Sequence, residues 1–577
     1  MKSKVLTIAL FCSISIVFQS CGKDFLDDTK PEDKISDANV WSSPELAIKV
    51  IYGCYQALPE GHTMCMMMSS TDEAIFYGDA SIGAAFTKGL VSPSNQGGFS
   101  ASVWSWAQMS WQWDALYQNI RNINIGIANI DKTPFTNQED KDRAVADLYF
   151  LRGYCHFLLM SQYGGIPYYD QVVNLGDDYN KPRNTFEETV NYIVTDLEKA
   201  INLYRADETG LVKTRADKGV AMAVKAKVLL YAASDLHNPA KNGELTSGYS
   251  NPELIGYTSG DASAKWQAAK DAAKAVIDLN AYSLYNSNPD KIRNFEEIFV
   301  KRSDEDIFIR YVDPINDLYW GLGRTPFLEA PPSFGGWGWS ADNVLGDLVD
   351  AFEMSDGSKF DWSNPVQAAN PYLNRDNRFY ASVLFEGATW YDNRIIHVGV
   401  WPDSTYAPEH QSTNYWVRKF SDIDKGPMEY SELTKCPAWP RMRYSEVLLN
   451  YAEACIELGE YNEARTYINL IRDRAGMPAV TESGAALKER YRNERRVELA
   501  FEEQRFFDVR RWMIGPEAIG TGAGINVRYP VQGSYDNPTF EPIITDAGRL
   551  WVNKAYFIPI TIDEMNKNTA LIQNPGY

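Results

Sequence analysis

Histidine is scarce in this chain, five among 577 residues, and the five lie scattered at positions 62, 156, 237, 397 and 410. No HExxH, GxSxG, Walker-type phosphate loop or GxGxxG is present, so metalloprotease, serine-hydrolase and nucleotide-binding readings lose their sharpest supports. There is no CxxC pair among the seven cysteines, which excludes a zinc knuckle and a disulfide scaffold as organising features. Basic runs are missing too. Asp and Glu outnumber Lys and Arg by 76 to 56, a balance that disfavours nucleic acid and an anionic lipid surface as partners. The chain also lacks any 20-residue apolar run of the kind a membrane-spanning helix needs; its N-terminal apolar stretch, Val5 to Phe18, has 14 residues. With Lys2 and Lys4 before it and Ser20-Cys21 after it, that stretch reads as a signal peptide over residues 1–20.

What is abundant is helical periodicity. Apolar residues at Val447, Leu448, Tyr451, Ala454, Cys455 and Leu458 form one stripe, and Tyr461, Ala464, Tyr467, Ile468 and Ile471 form a second. Gly459 supplies the turn between them, Ala452 and Ala464 are small where two helix axes approach, and Pro478 ends the unit. This is the design of a 34-residue tetratricopeptide hairpin, and one such unit cannot bury its face alone. Further pairs are expected. Arg143 to Tyr163 pairs with Phe186 to Leu203, Asp217 to Ala233 with Ala262 to Leu279, and the helix starting at Trp113 with the one opened by Pro44.

The fold expected is mainly α, a tetratricopeptide-type scaffold of about four helical pairs with an irregular, loop-rich inserted subdomain. Its divisions are a signal peptide over 1–20, a tether over 21–40, N-terminal repeats over 41–284, the insertion over 285–443, the last repeat and a following helix over 444–512, and a tail over 513–577 with a strand-like piece, Ala555 to Ile560. The insertion holds eight of the sixteen tryptophans and is rich in Gly, Pro, Asn and Asp. Arg492 to Trp512, RNERRVELAFEEQRFFDVRRW, reads as one helix whose charges tie the last repeat to its neighbours.

Tryptophan in Gly-, Ser- or Pro-rich chain is the residue type that points to binding, because an aromatic plane covers the apolar face of a sugar ring. Trp104, Trp106, Tyr319, Trp320, Trp337 and Trp339 have that setting; Trp266, Trp512 and Trp551 lie in regular patterns and are assigned to packing. His156, inside an apolar helix, is assigned to the core. Adjacent acids such as Asp72-Glu73 and Asp304-Glu305-Asp306 do not by themselves supply the carboxylate spacing of a glycosidase, and no cofactor or metal is called for.

Six segments carry a family resemblance: Cys21-Gly22-Lys23-Asp24-Phe25-Leu26-Asp27, Gly335 to Gly357 (GGWGWSADNVLGDLVDAFEMSDG), Arg375 to Phe385, Arg443 to Ala454, Arg492 to Trp512, and the ending YFIPITIDEMNKNTALIQNPGY. Together they resemble the RagB/SusD family of surface lipoproteins. The resemblance implies a non-enzymatic protein that binds glycans at the cell surface and passes them to a SusC-like TonB-dependent outer-membrane transporter. It also implies an outer-membrane lipid anchor on Cys21, and it adds the acidic segment of Asp72 and Glu73 to the ligand-site residues. The alternative is a tetratricopeptide-type surface lipoprotein that binds protein or peptide.

Overall fold

A computed structural model describes residues 37–59, 67–76, 81–97, 111–174, 176–310, 331, 340–402, 412–424 and 438–577. The helices expected from periodicity are present: α1 (Pro44–Gln56), α2 (Trp113–Asn129), α3 (Gln138–Tyr163), α4 (Phe186–Leu203), α5 (Lys218–Ala233), α6 (Ala262–Ile277), α7 (Tyr444–Glu457) and α8 (Tyr461–Ala475). Side-chain caps fix the starts of several. Asn137 accepts from the backbone N–H of Asp140, Thr185 and Glu188 form a reciprocal capping box, and Asp217 accepts from Val220. Each helix packs on the one before it and the one after it, including α6 on α7, which the whole insertion separates in sequence. The result is a continuous stack. Helices inside a stack are covered on more than one side, which is why α3 and α5 bury residues nearly all round while α4 keeps a single apolar stripe.

Close approach is built into the sequence. A Cβ at Gly126 of α2 would stand 2.7 Å from Cδ2 of Leu148 on α3, so only glycine lets these two axes come together. Gly459, between α7 and α8, has φ +79°, the left-handed conformation that ends a helix cheaply only for glycine. Ala452 and Ala464 are fully buried on the facing sides of this hairpin.

The insertion has its own apolar core, containing Phe295, Phe352, Phe379, Trp390, Trp416 and Phe420. A four-stranded sheet runs through it in the order β1 (Ala74–Phe76), β3 (Asp342–Val344), β5 (Trp416–Val417), β4 (Val383–Leu384), all pairs antiparallel. A second pair, β2 (Asp306–Arg310) with β6 (Trp439–Arg443), delivers the chain into α7. The tail departs from expectation. Residues 557–560 are not a strand, and the tail instead contributes a hairpin, β7 (Gly522–Arg528) with β8 (Thr539–Asp546), whose Ile525 and Val527 join the core of the insertion. Ala555, Ile558 and Ile560 pack on the helical stack.

The charged segment Arg492 to Trp512 is not one helix. α9 (Gly484–Glu498) stops, the backbone takes positive φ at Phe501 and Glu503, and α10 (Gln504–Arg511) resumes. Its charges do what the sequence suggests. Arg443 reaches Glu305 at 2.8 Å, Glu498 at 2.6 Å and Glu502 at 2.8 Å; Arg378 reaches Asp376, Glu494 and Glu498 at 2.6–3.0 Å; and Arg474 binds Glu305 and Glu498. All are buried. This network joins the end of the stack to the insertion, so the relative placement of the two rests on directional charge-assisted bonds rather than on apolar contact alone.

Candidate ligand-binding site

The acidic segment Asp72-Glu73 sits between a short 3-10 turn, Met67–Ser70, and β1. Strand pairing sets Ala74 opposite Val344, and the N–H of Leu345 donates to the Glu73 carbonyl at 2.9 Å. The two acids thus stand beside the stretch that leads out of the GGWGW segment. Asp72 is buried and its carboxylate takes a two-point bond from Arg505, 2.8 Å at each oxygen, with Arg496 2.9 Å away. Burial alone raises a carboxyl pKa, but the Arg496 and Arg505 guanidiniums outweigh it and hold Asp72 well below the usual range. Glu73 is in the opposite state. It is 1% exposed, among the described residues neither carboxyl oxygen has a hydrogen-bond partner, and burial together with the neighbouring Asp72 charge pushes it up to about 8. One acid is spent on arginine; the other keeps its hydrogen-bonding capacity.

A third carboxyl joins them. Glu503, at φ +63°, accepts the Met67 N–H at 2.8 Å, and burial raises its pKa well above the carboxylate range. A non-glycine residue in left-handed backbone costs on the order of 1–2 kcal/mol, so the fold holds this side chain in place against local strain.

Glu503 also lines a small hollow of about 40 Å3 with Pro59, Trp111, Tyr231, Trp439 and Arg441. Arg441 donates to the Pro59 carbonyl at 3.3 Å, Trp111 lies 5.4 Å from the Phe507 ring, and Arg310 is the strand partner of Trp439. Pro59, Trp111, Arg310 and Ala438 are the described residues that flank segments 60–66, 98–110, 311–330 and 425–437. One flank of the segment holding Trp104 and Trp106, at Trp111, and one flank of the segment holding Tyr319 and Trp320, at Arg310, therefore lie about this hollow, between stack and insertion. Trp104, Trp106, Tyr319, Trp320, Trp337, Trp339 and the anchor residue Cys21 themselves lie outside the described residues.

Other chemistry-bearing residues are structural. Glu305 is fully buried on Arg443 and Arg474. His156 is buried, its Nδ1 lies 2.9 Å from the Arg152 carbonyl oxygen, and burial pushes its pKa down to about 3, so it stays neutral. Cys54, Cys155 and Cys455 are free, buried thiols. Among the described residues no group of His, Cys, Asp and Glu is placed to hold a metal ion, and no helix is long and apolar enough to cross a membrane. Sequence reading missed Glu503 and the Arg496–Asp72–Arg505 clamp, because partners more than 420 residues apart leave no local signal.

Comparison with known proteins is consistent across sequence and structure. Residues 304–577 match the model of the SusD family, and residues 24–230 match a model described as starch-binding associating with outer membrane. SusD-like protein P2 of Formosa agariphila is 25% identical over 484 residues, 81% of this chain and 80% of its own length. A SusD-like protein from Bacteroides fragilis superposes with a TM-score of 0.76 at 26% identity, over 95% of this chain and all of that one. A SusD-like carbohydrate binding protein from the same organism superposes with a TM-score of 0.69 at 23% identity, covering 92% of this chain and 100% of its own, a likeness of fold. The stacked hairpins are accordingly the tetratricopeptide-type scaffold of SusD-like structures.

Proposed function

Because this chain belongs to the SusD family, whose members are binding proteins without catalysis, we propose that it captures glycans at the cell surface and delivers them to a TonB-dependent outer-membrane transporter. The observation that carries this reading is the match of residues 24–230 to a starch-binding family model associated with the outer membrane. In this reading Cys21 bears the lipid that holds the chain to the outer membrane. Trp104, Trp106, Tyr319, Trp320, Trp337 and Trp339 supply planes for the apolar faces of sugar rings. Support comes from Trp111 and Arg310, the described residues that flank the segments holding the first four of these, which lie about one hollow. Asp72 fixes the acidic segment through Arg505 and Arg496, and Glu73, buried beside it, backs the site from within.

A glycan array probed with the mature protein tests the reading. Trp320→Ala, and separately Trp104→Ala with Trp106→Ala, are expected to melt as wild type and to bind the retained glycan more weakly by about 1–3 kcal/mol, the cost of an anchoring aromatic. The retained oligosaccharide should leave the protein at unchanged mass. An array on which nothing is retained, or cleavage of the ligand, would overturn it. Recovery of a large β-barrel receptor from native membranes tests the transporter.

A further inference from the structure

Away from the hollow at Glu503, α2 carries a second concavity. A pocket of about 370 Å3 opens between α2, residues 167–173 and Tyr179 after α3, and residues 564–571 of the tail, a size within the 300–1,000 Å3 span of small-ligand sites. Its walls are aromatic: the Trp113 and Tyr117 rings lie 4.8 Å apart, Tyr117 meets Tyr169 edge-on at 5.5 Å, and Tyr179 stands at the rim, 57% exposed.

These walls are held from behind. Asn124, buried, donates to the carbonyls of Tyr169 at 2.9 Å and Gln171 at 3.1 Å, and its own oxygen accepts from Arg152 at 3.1 Å. Arg152 is locked in turn by Asp196, at 2.6 and 2.7 Å. The pocket is thus shaped before any ligand arrives, which spares the ordering cost that binding otherwise meets.

Its electrostatics select the ligand class. Asp114 and Glu564 balance Arg121 and Lys567, and Glu564 is paired with Lys567 at 2.7 Å, so the pocket favours neither a free anion nor a cation. Among the described residues, the Gln171 side-chain amide, the Tyr179 hydroxyl and the terminal nitrogens of Arg121 make no hydrogen bond. Aromatic faces with a spare amide, a spare hydroxyl and the guanidinium donors of Arg121, around a cavity whose acids and bases balance, suit a hydroxyl-rich, uncharged ring. On the far side of Arg121, which lines both, a second hollow of about 720 Å3 lies along α2 beside Trp41, Ile125 and Val172, with Lys132 and no carboxylate in its lining. The groove follows a helix of 17 residues, about 25 Å long at 1.5 Å per residue, so it has length for an oligomer rather than a single ring.

We propose that this groove is a second carbohydrate-binding site, for neutral oligosaccharides, separate from the one proposed around Trp104, Trp106, Tyr319 and Trp320. The proposal rests on the reading of the chain as a glycan-binding protein.

The test compares the full mature protein with two variants, Tyr179→Ala/Gln171→Ala and Trp320→Ala. The probe is the neutral oligosaccharide that wild type retains best on the array, titrated by calorimetry. Tyr179 and Gln171 are both exposed, so the double variant should melt as wild type. Expected are two sites in wild type, with the double variant weakened about fivefold or more at one and unchanged at the other, and Trp320→Ala showing the converse. A double variant that binds as wild type does overturns the second site and leaves the glycan reading standing. Retention only of uronic-acid-bearing glycans also overturns it. A wild type that retains no glycan removes the glycan reading, and the second site falls with it.

Discussion

The helical stack and its joint with the insertion are held by different physics. Inside the stack, most contacts are between aliphatic and aromatic stripes, with small residues such as Ala452, Ala464 and Gly126 setting how near the axes come, and buried ion pairs such as Arg152–Asp196 and Lys227–Glu446 are isolated pairs between helices. At the joint, buried arginines and carboxylates take over, and Glu498 alone is shared by Arg378, Arg443 and Arg474. Apolar contact tolerates small slips and charge-assisted bonds do not. The difference teaches that the stack needs only to be cohesive, whereas the insertion must be held at a defined angle and register relative to it.

The largest test of this contrast removes the hub. Glu498→Ala leaves three buried guanidiniums short of a partner and should cost about 3–5 kcal/mol in denaturant unfolding, more than most aliphatic truncations in the stack. A loss below 1 kcal/mol would erase the distinction. Acid should strain the same kind of contact first: arginines such as Arg511 lower Glu453, despite its burial, to about 2 from 4.5. A carboxyl with a lowered folded pKa contributes stability that is present above 4.5 and lost as pH falls toward 2, and unfolding curves across that window should show the decline.

Glu73 predicts the opposite sign. Its folded pKa of about 8 lies above the ordinary 4.5, so the protonated form is favoured by folding and stability falls as pH rises through that interval. Glu73→Gln should therefore stabilise the protein at pH 8 by on the order of 1 kcal/mol or more, and flatten the alkaline limb of its stability curve. Unchanged melting at pH 8 would mean that the carboxyl is not isolated. The smallest effect belongs to the stack. Nothing lies within 4 Å of a Cβ at Gly459, so Gly459→Ala should cost only the backbone price of positive φ, about 1 kcal/mol, and leave ligand binding alone.

Helices were legible because their signal repeats along the chain: the stripes of α7 and α8 and the turn at Gly459 lie within a few residues of what they determine, whereas α3 begins at Gln138, five residues before the expected Arg143. The hairpin of β7 and β8 was not, since Gly522, Ala523 and Gly524 have little strand preference and β8 is largely exposed on both faces. The break between α9 and α10 was hidden for another reason. LAFEEQ contains neither Gly nor Pro, and tertiary bonds such as Glu503 to Met67 hold its left-handed residues. Of the site, the aromatic content was visible in composition, whereas the unequal states of Asp72 and Glu73 depend on Arg496 and Arg505, which only folding brings near.

The direct packing of α6 on α7 sets an order of events during folding. The first six helices collapse through contacts between sequence neighbours, which form early, but α6, already packed on α5, lacks its second neighbour until residues 278–443 have been gathered in. Closing so long a loop is slow while its entropic penalty grows only weakly with length, at about 0.6 kcal/mol per doubling. Partly folded chains expose apolar surface to one another, so refolding at rising protein concentration should lose yield to aggregates first in the interval before α7 docks.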